Sequence, residues 1–310
     1  MGLLIEGIWH DQGHEDKVSN RSFERRPTQF RDLIAVGGHF PAEPRRYHLY
    51  VSWACPWAHR TLIYRKLKGL ENVIGVSYVE PVMLENGWTF RPGADPVNNA
   101  QFLWQIYVKA QPRYTGKATV PVLWDCARAR IVNNESSEII RIFDAWPGAR
   151  PPLLRPPELA AEIDALNEQI YQAINNGPYR AGFATTQAAY EEAFDLLFAK
   201  LDTLEERLRA RNFLLGERAT EADWRLFTTL VRFDAAYHSH FKCNRNRLVD
   251  FPELWDYTRA LYQTPGIADT VRLDEIKKHY YGSHPTLNPT GVVPKGPIID
   301  FTEPTGRAFT

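Results

Sequence analysis

The segment Trp146-Pro147-Gly148-Ala149-Arg150-Pro151-Pro152 divides the chain into two parts with different patterns. Upstream, short apolar runs alternate with helical periodicity: strand (47–52), helix (57–68), strand (73–79), a long insert, a proline-broken apolar run (119–124), a short strand (130–133) and a helix (136–145), which is β-α-β and then β-β-α. Downstream, every periodic stretch has helical spacing. Leu159, Ile163, Leu166, Ile170 and Ile174 form one stripe, and Tyr190, Phe194, Leu197, Leu201, Leu204 and Leu208 form a second, the pattern of buried helix faces. Thr220-Glu221-Ala222-Asp223 before Trp224-Arg225-Leu226-Phe227 has the form of a capping box with Asp in its fourth position and predicts the start of a buried helix. Helices near 253–263 and 267–281 follow, then a proline-rich tail expected to be extended. A chain of 310 residues has room for two cores. The expected layout is an irregular lead-in (1–46), a mixed α/β domain (47–146), a linker (147–157), an all-α domain (158–282) and a tail (283–310). Phe23, Phe30 and Phe40 are spaced too widely for one amphipathic element, so the lead-in is expected to wrap the first domain.

The chemistry concentrates at Cys55-Pro56-Trp57-Ala58, between the apolar run Tyr47-His48-Leu49-Tyr50-Val51 and a helix beginning near Trp57. A sulfur at a strand-to-helix junction lies near unpaired amides and the positive end of the helix dipole, which favour the thiolate, the nucleophilic form. The spacing resembles the Cys-x-x-Cys of thioredoxin-like proteins, but its second cysteine is replaced by Ala58. A disulfide formed at Cys55 must therefore be resolved by an outside thiol, and glutathione is the candidate. The alternative is a cysteine that merely packs.

Lys and Arg together number 37 and Asp and Glu also 37, so no net field draws the chain to nucleic acid or anionic lipid. Three scattered cysteines, Cys55, Cys126 and Cys243, form no repeated spacing and leave an odd thiol, which argues against a disulfide framework and for a reducing compartment, so a cytoplasmic location is expected. No run approaches the roughly 18 apolar residues that span a bilayer, and the amino terminus lacks a basic region followed by a long apolar stretch, so a soluble protein with no membrane partner is expected. His238, His240 and Cys243 cluster in sequence, but Lys242, Arg245 and Arg247 oppose a cation there, so no metal site is expected. Arg245 and Arg247 read as a solvated charge run rather than a nucleic-acid contact.

The insert from Pro81 to Lys117, which holds Trp88 and Trp104, is long enough to be functional or to carry a helix of its own. In Thr119-Val120-Pro121-Val122-Leu123-Trp124, a proline inside a buried strand needs a special reason, and a cis peptide at the strand's start is one.

A thioredoxin-like amino-terminal half, a helical carboxy-terminal half and a T-x-x-D helix cap together resemble the glutathione transferases. The more specific resemblance is to the Xi class, the glutathionyl-hydroquinone reductases. It rests on Ser52-Trp53-Ala54-Cys55-Pro56-Trp57-Ala58-His59-Arg60, Thr119-Val120-Pro121-Val122-Leu123-Trp124-Asp125, Asn134-Glu135-Ser136, Tyr179-Arg180-Ala181-Gly182-Phe183-Ala184, His240-Phe241-Lys242-Cys243-Asn244 and His279-Tyr280-Tyr281-Gly282-Ser283-His284.

The resemblance implies that Cys55 takes glutathione from a glutathionyl-hydroquinone and that a second glutathione clears the mixed disulfide. It implies that Trp88, Val120, Glu135 and Ser136 hold glutathione, with Val120 beside cis Pro121 presenting backbone groups as an added strand would. Glu135 would take the γ-glutamyl ammonium, and Ser136 with its helix amides the carboxylate at the same end; a plain helix cap is the other reading of this pair. Lys117 would face the glycyl carboxylate, as a point charge where arginine would bind bidentately. Tyr179 is implied as proton donor or acceptor, with Tyr237 and Tyr280 hydrogen-bonding near the sulfur; core packing with satisfied hydroxyls is the alternative for each. A homodimer is implied as well. Two rival readings stay open: an Omega-like monothiol thioltransferase or dehydroascorbate reductase, and a non-catalytic ligand-binding protein with the same fold.

Overall fold

The computed structural model describes residues 2–11 and 28–307, which fall into two compact units divided between Pro152 and Leu153. Phe23 lies outside the described residues.

The first unit opens with a hairpin, β1 (Leu3–Ile5) and β2 (Ile8–His10), turning through Glu6 and Gly7 at positive φ. This corrects the expectation of a wholly irregular lead-in. Two three-residue strands are too short for a clear period-2 signal; Leu4, fully buried, pairs with Gly116 and so fastens the hairpin to the far end of the insert.

The central sheet has the order β4-β3-β5-β6, with β3 (Tyr47–Val51) parallel to β4 (Gly75–Tyr78) and antiparallel to β5 (Val122–Asp125), which is antiparallel to β6 (Arg130–Asn133). The two inner strands are buried along their whole length, which is why Tyr47–Val51 and Val122–Asp125 read as near-continuous apolar runs instead of alternating. Burying a side chain such as Leu49 or Leu123 completely is worth about 2 kcal/mol.

Helix α1 (Pro56–Leu67) connects the parallel pair and packs on α3 (Ser136–Asp144). Pro56 occupies its first turn, where a missing N–H costs nothing. Gly69 turns the chain past its end at φ 67°, and a Cβ there would meet the Arg150 side chain. Beside this turn the buried Lys68 ammonium bonds to the buried Asp144 carboxylate at the end of α3 and to the carbonyls of Arg150 and Pro152. That pair fixes both helix ends to the linker. The insert carries α2 (Leu103–Ala110), as its length suggested. Buried Asp95 accepts from the Tyr50 hydroxyl (2.9 Å) and from the amides of Val97, Asn98 and Ala100, which ties the insert's loop to β3.

The second unit is helical: α4 (Ala160–Ile170), α5 (Gly177–Gly182), α6 (Gln187–Leu208), α7 (Glu221–Leu230), α8 (His238–His240), α9 (Pro252–Gln263) and α10 (Leu273–Ser283), with π-helical turns at Tyr171–Asn175 and Phe233–Tyr237. Both stripes are core-facing, although Leu159, Tyr190 and Phe194 at their ends are only half-buried. The capping box forms: the Thr220 amide and hydroxyl both donate to Asp223. Asp223, fully buried, also accepts from the Leu214 amide and the Tyr257 hydroxyl (2.9 Å each), joining the preceding loop and α9 to the start of α7.

The last helix starts later than its periodicity suggested. After Pro265-Gly266 a 3-10 turn covers Ala268–Thr270, and extended Val271 separates it from α10. The tail has no regular element yet is fastened down. The Lys277 ammonium takes the carbonyls of Pro294 and Lys295, Phe301 packs against Trp255 and Tyr262, and the buried Arg307 guanidinium bonds the carbonyls of Leu208, Arg211 and Asn212 and the Glu253 carboxylate. Among the described residues no helix is long and apolar enough to cross a membrane.

Candidate active site

Cys55 is the N-cap of α1, with extended backbone, and its half-exposed side chain stands at the carboxyl end of β3. The Ala58 amide donates to the sulfur and the thiol faces the Val120 carbonyl oxygen, each at 3.5 Å. The Val120–Pro121 bond is cis, and both residues are buried. Trp53 stacks on Tyr78 beside this motif, with ring centroids 4.2 Å apart and planes 7° from parallel.

The Val120 and Glu135 segments share one support. The Tyr107 hydroxyl donates to the Thr119 carbonyl (2.7 Å) and receives the side-chain amide of Asn134 (3.2 Å). Tyr107 is fully buried, and that burial raises its pKa, so it remains a neutral donor. Sequence reading missed it; its signal was a lone tyrosine on the short amphipathic α2, which is indistinguishable from core.

Glu135 is the N-cap of α3, and its carboxylate accepts from the Ser137 amide (3.0 Å) and hydroxyl (2.8 Å). Buried Ser136 receives Arg60 Nη1 from α1 at 3.4 Å, and Arg60 is itself almost completely buried. Arg60 lies five residues after Cys55, and nothing in the sequence pattern marks this contact with α3. Trp88 is buried near the start of the insert, where its carbonyl accepts the first amide of α2 from Leu103. Lys117 is half-buried at the insert's other end, and its carbonyl accepts the Tyr114 hydroxyl (3.3 Å).

In the second unit the three singled-out tyrosines come together. The Tyr280 hydroxyl lies 2.5 Å from that of Tyr179 and 3.0 Å from that of Tyr237. Tyr179 belongs to α5, Tyr237 ends the second π-helical turn and Tyr280 belongs to α10, so no local spacing could have announced the cluster. Phe241 fills the space among them, stacked on Tyr237 at 5.7 Å and 5.3 Å from Tyr179. Gly182 makes this possible, since a Cβ there would lie 2.2 Å from the Phe241 ring. Burial raises the Tyr280 pKa well above the ordinary value, and the neighbouring Tyr179 and Tyr237 raise it further.

The other two cysteines have raised thiol pKa values. Burial pushes the Cys243 thiol far up, and burial together with Asp125 raises that of Cys126. Among the described residues no group of three His, Cys, Asp or Glu side chains is arranged to hold a metal ion.

A cysteine capping the first helix of a thioredoxin-like sheet, opposite a cis proline, and a helical unit in which a T-x-x-D box starts the buried helix α7 define the glutathione transferase class. The family descriptions "Glutathione S-transferase, N-terminal domain" and "Glutathione S-transferase, C-terminal domain" match residues 54–146 and 187–260. The chain is 54% identical to the glutathionyl-hydroquinone reductase PcpF of Sphingobium chlorophenolicum over 96% of both chains. It is 51% identical to the glutathionyl-hydroquinone reductase YqjG of Escherichia coli over 99% of this chain and 98% of that one. The glutathione-bound structure of YqjG superposes with a TM-score of 0.91 at 49% identity, covering 99% of each chain, and the Xi-class transferase of Natrialba magadii with 0.92 at 46%, covering 99% and 96%. The chain belongs to the Xi-class glutathione transferases, the family of the glutathionyl-hydroquinone reductases.

Proposed function

We propose that this protein reduces glutathionyl-hydroquinones to hydroquinones with glutathione as co-substrate, through a mixed disulfide on Cys55. The observation that carries the reading is the Cys55 sulfur held by the Ala58 amide at a helix N-terminus, with alanine where a resolving cysteine would stand. The names of the relatives at 54% and 51% identity support the choice of substrate.

In the first step the Cys55 thiolate attacks the sulfur of the substrate's glutathionyl group. The S–S bond forms as the aryl C–S bond breaks, and the electron pair left on the ring carbon takes a proton from Tyr179, with Tyr280 and Tyr237 as its hydrogen-bonded reserve. In the second step a glutathione thiolate attacks that disulfide, releasing glutathione disulfide and restoring Cys55. One glutathione is oxidised for each hydroquinone freed, so the two-electron balance closes.

Glutathione would lie along Val120 and cis Pro121, with Trp88 against it, Glu135 and Ser136 at its γ-glutamyl end and Lys117 at its glycyl end. Ionisation of Cys55 frees the Val120 carbonyl from the thiol, and a backbone N–H of glutathione then takes that acceptor. Residues 47–146 would form the glutathione-binding domain and 158–282 the helical domain, a division that the two compact units support. The family resemblance adds a homodimer, which light scattering of the purified protein tests, and the three scattered cysteines favour a cytoplasmic location.

Some relatives, at 46% and 35% identity, are named omega-like transferases, so the discriminating experiment compares substrates. Turnover of a glutathionyl-hydroquinone should exceed that of dehydroascorbate by orders of magnitude. The reverse preference would replace this reading with the omega-like one.

A further inference from the structure

Tyr237 and Tyr280 are not the only residues joining their two segments. One helical turn further along each, His240 follows Tyr237 by three residues and His284 follows Tyr280 by four, and His240 Nε2 lies 3.0 Å from His284 Nδ1. The tyrosine hydroxyls are also 3.0 Å apart, so the segments are linked by two parallel rungs, one phenolic and one imidazole. His240 ends α8 and His284 is the non-helical C-cap of α10, so the imidazole rung stands beside the phenolic one at the ends of these segments.

Phe241 closes the gap between the rungs, 5.6 Å from Tyr280 and 5.8 Å from His284, in near-parallel stacking with the latter. His284 also meets the edge of Phe183, four residues after Tyr179, so all three helical segments that present a tyrosine converge on this one imidazole. An imidazole pair bonds only when one ring donates and the other accepts, which requires at least one neutral ring. Burial favours that state and lowers the His240 pKa to about 4.

We propose that His240 and His284 are positioning residues for the reaction: their hydrogen bond sets the register of α10 against the π-helical turn and so holds the Tyr280 hydroxyl between those of Tyr179 and Tyr237. Neither imidazole donates the proton; each acts through the phenols. The inference rests on the assignment of Tyr179 as proton donor given above.

The test uses His284→Phe and His240→Phe, which keep a ring but remove the bond, the double variant, and His284→Gln, whose amide can restore it. Two quantities are read on the full-length protein. The first is kcat and KM for glutathione with a glutathionyl-hydroquinone. The second is alkaline titration of tyrosine absorbance near 295 nm, which needs no substrate. Each Phe variant should lose about tenfold or more in kcat with KM for glutathione little changed. The double variant should be no worse than the singles, because one bond is lost in all three. His284→Gln should recover most of the rate, and in the Phe variants a late-titrating tyrosine should move toward the ordinary value near 10.

Unchanged kcat and an unchanged titration in folded Phe variants would overturn the proposal, as would additive losses in the double variant. A wild-type protein inactive on glutathionyl-hydroquinones would instead defeat the activity reading, and the titration alone would then decide whether the rung orders the tyrosines. Should a Phe variant not fold, His284→Leu takes its place as the variant without the bond, and equal rates and titrations for His284→Leu and His284→Gln would overturn the proposal.

Discussion

The hydroxyl of Tyr107 lies 2.7 Å from the carbonyl oxygen of Thr119, one residue before the cis bond that faces Cys55. Through Asn134 the same hydroxyl reaches the segment that begins α3, so one buried atom sets the distance between the Val120 and Glu135 segments. Tyr107→Phe removes these bonds, and the one the hydroxyl accepts from the Thr119 amide (3.2 Å), while keeping the ring. The expected result is a glutathione KM raised severalfold with a smaller change in kcat, and a stability loss of about 1–2 kcal/mol from the orphaned acceptor. Steady-state kinetics with varied glutathione and urea unfolding measure the two effects.

Gly182→Ala should be far more damaging than its size suggests. The new methyl would overlap the Phe241 ring, around which all three tyrosines pack, so the ring must move or the helix must shift. Overpacking of this kind costs about 1–3 kcal/mol. Kinetics should show loss of kcat with glutathione affinity preserved, whereas parallel loss of both would point to general unfolding.

Asp223→Ala removes the acceptor for the Thr220 amide and hydroxyl, the Leu214 amide and the Tyr257 hydroxyl at once. Loss of a cap alone costs about 1 kcal/mol, and leaving several buried donors unpaired adds to that, so a destabilisation of about 3 kcal/mol or more is expected in denaturant unfolding. Arg307→Ala tests the tail in the same way: it releases the carbonyls of Leu208, Arg211 and Asn212 and should lower Tm and expose the tail to protease.

Acid should weaken the first unit through His48. Burial lowers its pKa to about 4, against roughly 6.5 in the unfolded chain, and its ring bonds the Ser77 hydroxyl at 2.8 Å. Between these values the unfolded chain binds more protons than the folded one, so stability is complete above about 6.5 and falls as pH drops toward 4. The full span corresponds to about 3 kcal/mol at most. Tm measured from pH 7 to 4 should fall more steeply for the wild type than for His48→Gln; equal slopes would remove His48 from the account.

Most of the sheet and helix order was legible because each element carries its own period. Tyr47–Val51 and Arg130–Asn133 fall where the apolar runs put them, and Thr220 with Asp223 announced α7 directly. What was not legible depends on distant partners. The hairpin of Leu3–Ile5 needs Gly116, Tyr107 needs Thr119 and Asn134, and the His240–His284 rung joins residues 44 positions apart. Short strands and single polar side chains carry no period, so sequence shows the residue but not its partner. The reach of the first helix end was clearer, since Cys55, Pro56 and Ala58 state in four positions both the cap and the missing second thiol.

The central claim is that one sulfur carries the reaction without an internal thiol to resolve it. Mass spectrometry of the intact protein after brief exposure to a glutathionyl-hydroquinone, followed by peptide mapping, tests it most directly. A single glutathione on the peptide containing Cys55, removed by added glutathione and absent in Cys55→Ser, is the predicted result. Glutathione on Cys126 or Cys243, or turnover that survives in Cys55→Ser, would contradict it.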